Sequence, residues 1–176
     1  MNWAALLNSP QQTTAGTALA SSTTLTDISP VPQLSLPANY AGNGTAFLLR
    51  ATGVFSTTGT PTLRLGFYYG AVAGVSLADT GTVTTASGVT NVQWVLEAVV
   101  TVRSNGATGT AWTQGTCAFG TSATAMSLLP LPGAAPTAVT VDTTAAKQVT
   151  VGAQWGTSSA SNTVTCHSFQ VVSLGY

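Results

Sequence analysis

The side chains able to move a proton, attack a carbonyl or hold a metal are few and scattered. His167 is the single histidine, so a Ser-His-Asp or Cys-His centre would have to be built around it. Cys166 is next to it in sequence, and adjacent side chains of a strand point to opposite faces, which argues against a Cys166–His167 dyad. Cys117 with His167 is geometrically open, but nothing flanking Cys117 resembles a nucleophile elbow or a cysteine-protease signature. The carboxylates are Asp27, Asp79, Glu97 and Asp142, with no two close in sequence. A glycosidase pair among them would have to be assembled by the fold. A structural role is simpler: Asp79 and Asp142 adjoin turn-forming sequence, where an aspartate caps local N–H groups, and Glu97 falls on the outer side of its strand. Zinc wants clustered Cys, His or carboxylate ligands. No DxDxDG loop, HExxH, strand-borne GxGxxG or GxxxxGK[ST] occurs. The chain is expected to be a non-enzyme, with no catalytic residue, no metal and no cofactor.

What positions these residues is a chain written for strands. Val, Thr, Leu and aromatic runs are punctuated by 18 glycines, and helix-forming stretches are nearly absent. Eight main strands and an extra leading one are expected. In 45–57, Phe47, Leu49, Ala51 and Phe55 share one face, with Leu48, Arg50, Thr52 and Ser56 on the other. The turn at 58–61 should join it as a hairpin to 62–69, where Leu63, Leu65, Phe67 and Tyr69 point inward and Arg64 and Tyr68 outward. A weaker strand covers 75–85. The clearest alternation is 91–104, with Val92, Trp94, Leu96, Ala98, Val100 and Val102 on one face. Asn105-Gly106 then marks a hairpin tip before 108–119, since both residue types tolerate positive φ. Three prolines in 128–136 exclude a central strand and suggest an ordered crossover. Strands at 138–143, 147–157 and 162–174 complete the set.

The expected fold is all-β: an eight-stranded antiparallel sandwich of jelly-roll type, with residues 1–12 as an N-terminal arm and 13–176 as one domain. An immunoglobulin-type sandwich is the runner-up, disfavoured by length and by the lack of its Cys…Trp…Cys spacing. Cys117 and Cys166 are expected to be reduced and buried as small hydrophobes.

Only 5% of the 176 residues are charged and the formal net charge is zero, whereas about 25% is usual. With four basic residues there is no stripe for phosphates, so nucleic acid is not an expected partner. No run reaches the ~20 apolar residues of a bilayer span. The first residues lack the charged and apolar regions of a secretory signal, which points to synthesis in the cytoplasm.

A near-neutral surface favours association, and the outer strand faces suggest where. Leu48, Val54, Val95 and Val99 are apolar residues on faces that should look outward. Trp3, Leu6 and Leu7 form an apolar hook on the arm. Trp3, Tyr68, Trp112 and Tyr176 are the aromatics expected at the surface, fitting subunit contact, with a glycan- or receptor-binding platform as the alternative.

The run LPANYAGNGTAFLLRATGVFSTTGTPTLRLGFYYG, followed by NVQWVLEAVVTVRSNGATGTAWTQG, resembles structural proteins of tailed bacteriophages and prophages. The shared features are a strand ending in STTGTPTL (56–63), a WxLE strand (94–97) leading to Arg103 and the Gly106 turn, and a Thr/Ala-rich second half. The resemblance implies a virion component. It fits best a head decoration protein on the capsid exterior, bound to the major capsid protein and self-associated, often as a trimer. A minor tail or fibre-associated protein is the alternative within that class. No catalytic or binding residue carries over.

Overall fold

In the computed structural model, which describes residues 12–72 and 74–174, period-two burial is clearest in 46–56 and 92–104, whereas 147–155 is buried on both faces through its middle. The described strands are β1 (Leu19–Ala20), β2 (Thr26–Asp27), β3 (Ser35–Leu36), β4 (Ala46–Ser56), β5 (Thr62–Tyr69), β6 (Val75–Asp79), β7 (Val83–Thr84), β8 (Val92–Ser104), β9 (Gly109–Ser122), β10 (Ala125–Leu131), β11 (Val139–Val141), β12 (Lys147–Trp155) and β13 (Thr163–Ser173). All pairings are antiparallel. The larger sheet runs β1-β13-β4-β8-β9-β10, with β11 also on β9; the smaller runs β2-β12-β5-β6, with β3 on β12 and β7 on β5. The described residues contain no helix, and hence none long and apolar enough to cross a membrane.

The core is the layer between the sheets. Trp94, Leu96, Leu49, Phe55 and Phe169 from the larger sheet meet Leu63, Leu65, Phe67, Val151 and Trp155 from the smaller. Phe67 stacks on Phe169 across the sandwich, with ring centroids 5.7 Å apart. Each indole also keeps its N–H satisfied, as burial requires: Trp94 Nε1 donates to the Val54 carbonyl and Trp155 Nε1 to that of Leu19, both at 3.3 Å. Trp94 fits because its cross-strand partner is Gly53. A Cβ at Gly53 would lie 2.6 Å from the indole and 2.0 Å from the Thr165 carbonyl oxygen.

Several expectations change. The segments at 45–57 and 62–69 are strands but not a hairpin. β4 pairs with β13 and β8, β5 with β12, β6 and β7, so the Gly59 turn carries the chain from one sheet to the other. Both strands bury an apolar face, and alternation says which face is buried without saying which strand lies alongside. The 75–85 strand is broken into β6 and β7, with Thr80 buried and Asp79 half-buried at the break. The β8–β9 hairpin forms, but only Gly106 takes positive φ at its tip, so it is a longer loop than an Asn-Gly two-residue turn. The expected crossover at 128–136 begins instead as the end of β10. Pro130 is tolerated there because β10 pairs with β9 alone and is an edge strand. The described strands also exceed the expected eight, chiefly through short bridging pieces.

Replacing Gly53 with alanine is expected to lower stability by about 2–3 kcal/mol, in the range of overpacking a close-packed core. Urea denaturation monitored by tryptophan fluorescence measures this; a loss under 0.5 kcal/mol would show that the indole shifts freely.

Candidate functional site

The outer face of the larger sheet is built by the residues that alternate with the core set. Cross-strand register arranges it in rows. Leu48 sits between Val172 of β13 and Val99 of β8, and Val99 is opposite Gln114 of β9. Next come Gln170, Arg50, Glu97, Thr116 and Pro130, then Ser168, Thr52, Val95, Ala118 and Leu128. Val54 lies beyond, beside Thr165 and Gln93. At the other end the Leu174 N–H bonds to the Ala46 carbonyl, and Thr101 pairs with both Ala46 and Trp112. Val99, Val172, Leu174 and Met126 are exposed, and Leu128 is 70% exposed.

A single ion pair occupies the middle row. Arg50 Nε lies 3.6 Å from Glu97 Oε2, and their side chains are 54% and 49% exposed. Such a pair contributes little to folding. Its place at the centre of the face, between apolar rows, is what matters.

Of the residues expected at an interface, Leu48, Val54, Val95, Val99 and Trp112 share this one face. Tyr68 does not join them: it points to the outer side of the smaller sheet but is only 2% exposed. Gly152 makes room for its ring, since a Cβ there would lie 2.6 Å from the Tyr68 Cε2. The buried hydroxyl has no hydrogen-bond partner among the described residues. Burial pushes the phenol up to about 12, with Asp79 adding to the rise and Arg64 opposing it. Trp3, Leu6, Leu7 and Tyr176 lie outside the described residues. Of the arm, Gln12 is described, and its side-chain amide brackets the Phe169 backbone, donating to the carbonyl at 2.6 Å and accepting the N–H at 2.8 Å.

Sequence reasoning missed Met126, Leu128, Val172 and Leu174. For β13 the signal was present: Val164 and Cys166 are buried, then Phe169 and Val171, so the phase shifts by one across the bulge at His167. That shift puts Val172 outside. Leu128 was hidden by the neighbouring prolines.

The reactive groups are spent on structure. Asp27 accepts from Ser29 N and Gln33 Nε2, and Asp142 from the N–H and hydroxyl of Thr144, which hold its carboxyl below the ordinary range. Arg64 grips Asp79 through Nε and Nη2 at 3.0 and 2.7 Å, and Ser76 Oγ and Gly81 N complete the carboxylate's partners. His167 is exposed while Cys166 is buried, on opposite sides of β13. Among the described residues no three of His, Cys, Asp and Glu gather as metal ligands. Cys117 and Cys166 are free, and burial pushes both thiols up to about 12. They lie on β9 and β13 with β4 and β8 between. Three strand spacings of about 4.8 Å exceed the ~7 Å limit for a disulfide. An apolar cavity of about 30 Å³ lies between the sheets near Leu36, Phe47, Val100 and Val149, far below the ~150 Å³ that admits benzene. The chain matches no protein-family model, no curated protein and no solved structure.

Two outcomes follow. Burial tends to raise the Asp79 carboxyl pKa, but Arg64, Gly81 and Ser76 bring it below the ordinary 3.8. A depressed carboxyl pKa gives stability that is present above the unfolded value and lost as pH falls through the folded one. Asp79→Asn should therefore cost about 2 kcal/mol at pH 7, less than for a fully buried pair because Arg64 keeps solvent contact. Urea midpoints at a series of pH values should show this gap closing as pH drops below about 4; a gap constant with pH would refute the assignment. An aromatic disulfide reagent at pH 8 should label neither cysteine in the native protein and both in denaturant, whereas rapid native labelling would contradict their burial.

Proposed function

We propose that the chain is a non-enzymatic virion structural subunit, a head decoration protein that binds and stabilises the outer surface of a tailed-phage capsid. The observation that carries this is the outer face of the larger sheet, where Leu48, Val54, Val95, Val99, Val172 and Leu128 lie on either side of the Arg50–Glu97 pair. An apolar face of this extent is an aggregation hazard unless covered, and a subunit that functions assembled has it covered. The resemblance of 36–120 to phage structural proteins supplies the kind of assembly: major capsid protein as partner and the capsid exterior as location.

The sandwich is read as jelly-roll in type. Support comes from the repeated passage of the chain between sheets, at β4 to β5, β7 to β8, and before and after β12; the β8-β9-β10 meander within one sheet departs from the plainest form of that topology. Binding would rest on apolar burial and hydrogen bonding, so it should depend little on salt. The glycan-binding alternative draws less support, because it needs an open aromatic platform, whereas Tyr68 is buried and Trp112 half-buried.

Quantitative mass spectrometry and imaging of purified virions test the proposal. Many copies spread over the head are expected, and removing residues 1–12 should lower both occupancy and the thermal stability of the particles. A few copies confined to the tail would overturn the head assignment in favour of a tail or fibre role. Unchanged occupancy on truncation would remove the arm from the binding mechanism.

A further inference from the structure

The outer face of the larger sheet has an internal symmetry in its chemistry. At its middle, Arg50 and Glu97 are direct cross-strand partners on the central strands β4 and β8, while the exposed Arg103 lies toward the far end of β8. On one side along the strands lie Leu48, Val99, Val172, Leu174 and Trp112. On the other lie Val54, Val95, Ala118, Leu128 and Met126. The face is thus apolar, polar and apolar along the strand direction, and positive then negative across it.

We propose that this face packs against the same face of a second copy of the chain, about a two-fold axis parallel to β4 and β8 and midway between them. That rotation exchanges the β4 and β8 positions without reversing the strands. It sets Arg50 over Glu97 of the second copy and Glu97 over Arg50, making a four-charge cluster of alternating sign. Leu48 then meets Val99 of the second copy, and Trp112 meets Leu174. Each apolar band lies on its own counterpart.

The perpendicular in-plane axis is disfavoured by the same charges. It reverses the strands and sets Arg50 against Arg50 and Glu97 against Glu97, and like charges facing each other across an interface oppose association. The charge pattern therefore selects one of the two simple isologous arrangements. The usual rotation of about 30° between packed sheets leaves the central pair in register because it lies near the pivot. Size also fits. Five long strands at about 4.8 Å spacing and roughly 3.3 Å per residue give a footprint of about 800 Å² per copy, which is what a stable interface buries.

The inference rests on the reading that this face is covered when the protein assembles, and it deepens that reading by naming a second copy as its occupant, which leaves contact with the major capsid protein to other surfaces of the dimer. It is tested on the purified full chain, independently of any virion. Sedimentation equilibrium should give a dimer. Glu97→Arg, with two cations at the centre, and Arg50→Glu, with two anions, should each weaken self-association by about tenfold or more, since like charges oppose across the contact. Mixing the two variants should restore wild-type affinity, because each cation again faces an anion; native mass spectrometry would find one copy of each in the dimer. Near-UV circular dichroism checks that both variants are folded, and two misfolded variants would not rescue one another. A wild-type monomer or trimer, variants that dimerise like wild type, or a mixture no better than its components would overturn the proposal. A dimer in solution together with absence from the capsid exterior would sink the decoration role alone.

Discussion

The layer between the sheets has room for the Trp94 indole only because Gly53 gives up its side chain. Packed sheets stand about 10 Å apart, and that gap is filled by side chains from both inner faces. Trp94 takes the space above Gly53. Ala98 pairs with Gly115, whose missing Cβ would meet Ala98 at 2.5 to 2.8 Å. With large and small residues so matched, Phe67 can reach Phe169 across the sandwich. A slip of one residue in any long strand would turn its whole inner set outward, so this layer also determines the composition of the outer faces.

That coupling gives the molecule its surface. The charged groups stand in for almost no solvation: Arg64 and Asp79 tie β5 to the β6 turn, Asp27 and Asp142 cap backbone, and Arg50 and Glu97 answer each other. What remains on the larger sheet is mostly hydroxyl, amide and apolar, with Arg103 and His167 also exposed. A chain that stays monomeric usually breaks such a face with several charges. Here the inner packing dictates which residues face out, and those residues suit burial against another protein surface. Association of this kind is governed by shape and apolar area, with the central ion pair setting orientation.

Much of this was legible from residue order. The faces of β4 and β8 were readable from unbroken alternation, and so was the shared outward position of Leu48, Val54, Val95 and Val99. The capping roles of Asp79 and Asp142 followed from the turn residues around them. Other features resisted. Tyr68 alternates outward as expected yet is buried, because Gly152 on the neighbouring strand leaves it a hollow. The 45–57 and 62–69 segments looked like a hairpin across a short turn, but a turn of that length can equally carry the chain between sheets. Leu128 was obscured because proline excludes a central strand while permitting an edge.

Sequence alone determined the class of structure and the inner and outer sets of the runs that alternate without interruption, as in β4 and most of β8, because a pleated backbone sends successive side chains to opposite sides until a bulge shifts the phase. It also settled that the surface would be almost without charge. Tertiary structure alone decided which strands lie side by side. Only that neighbourhood placed Arg50 against Glu97 at the middle of one apolar face, hid Tyr68 and separated the two cysteines. Alternation is a property of one strand, whereas adjacency depends on how the inner side chains of many strands fill one shared volume.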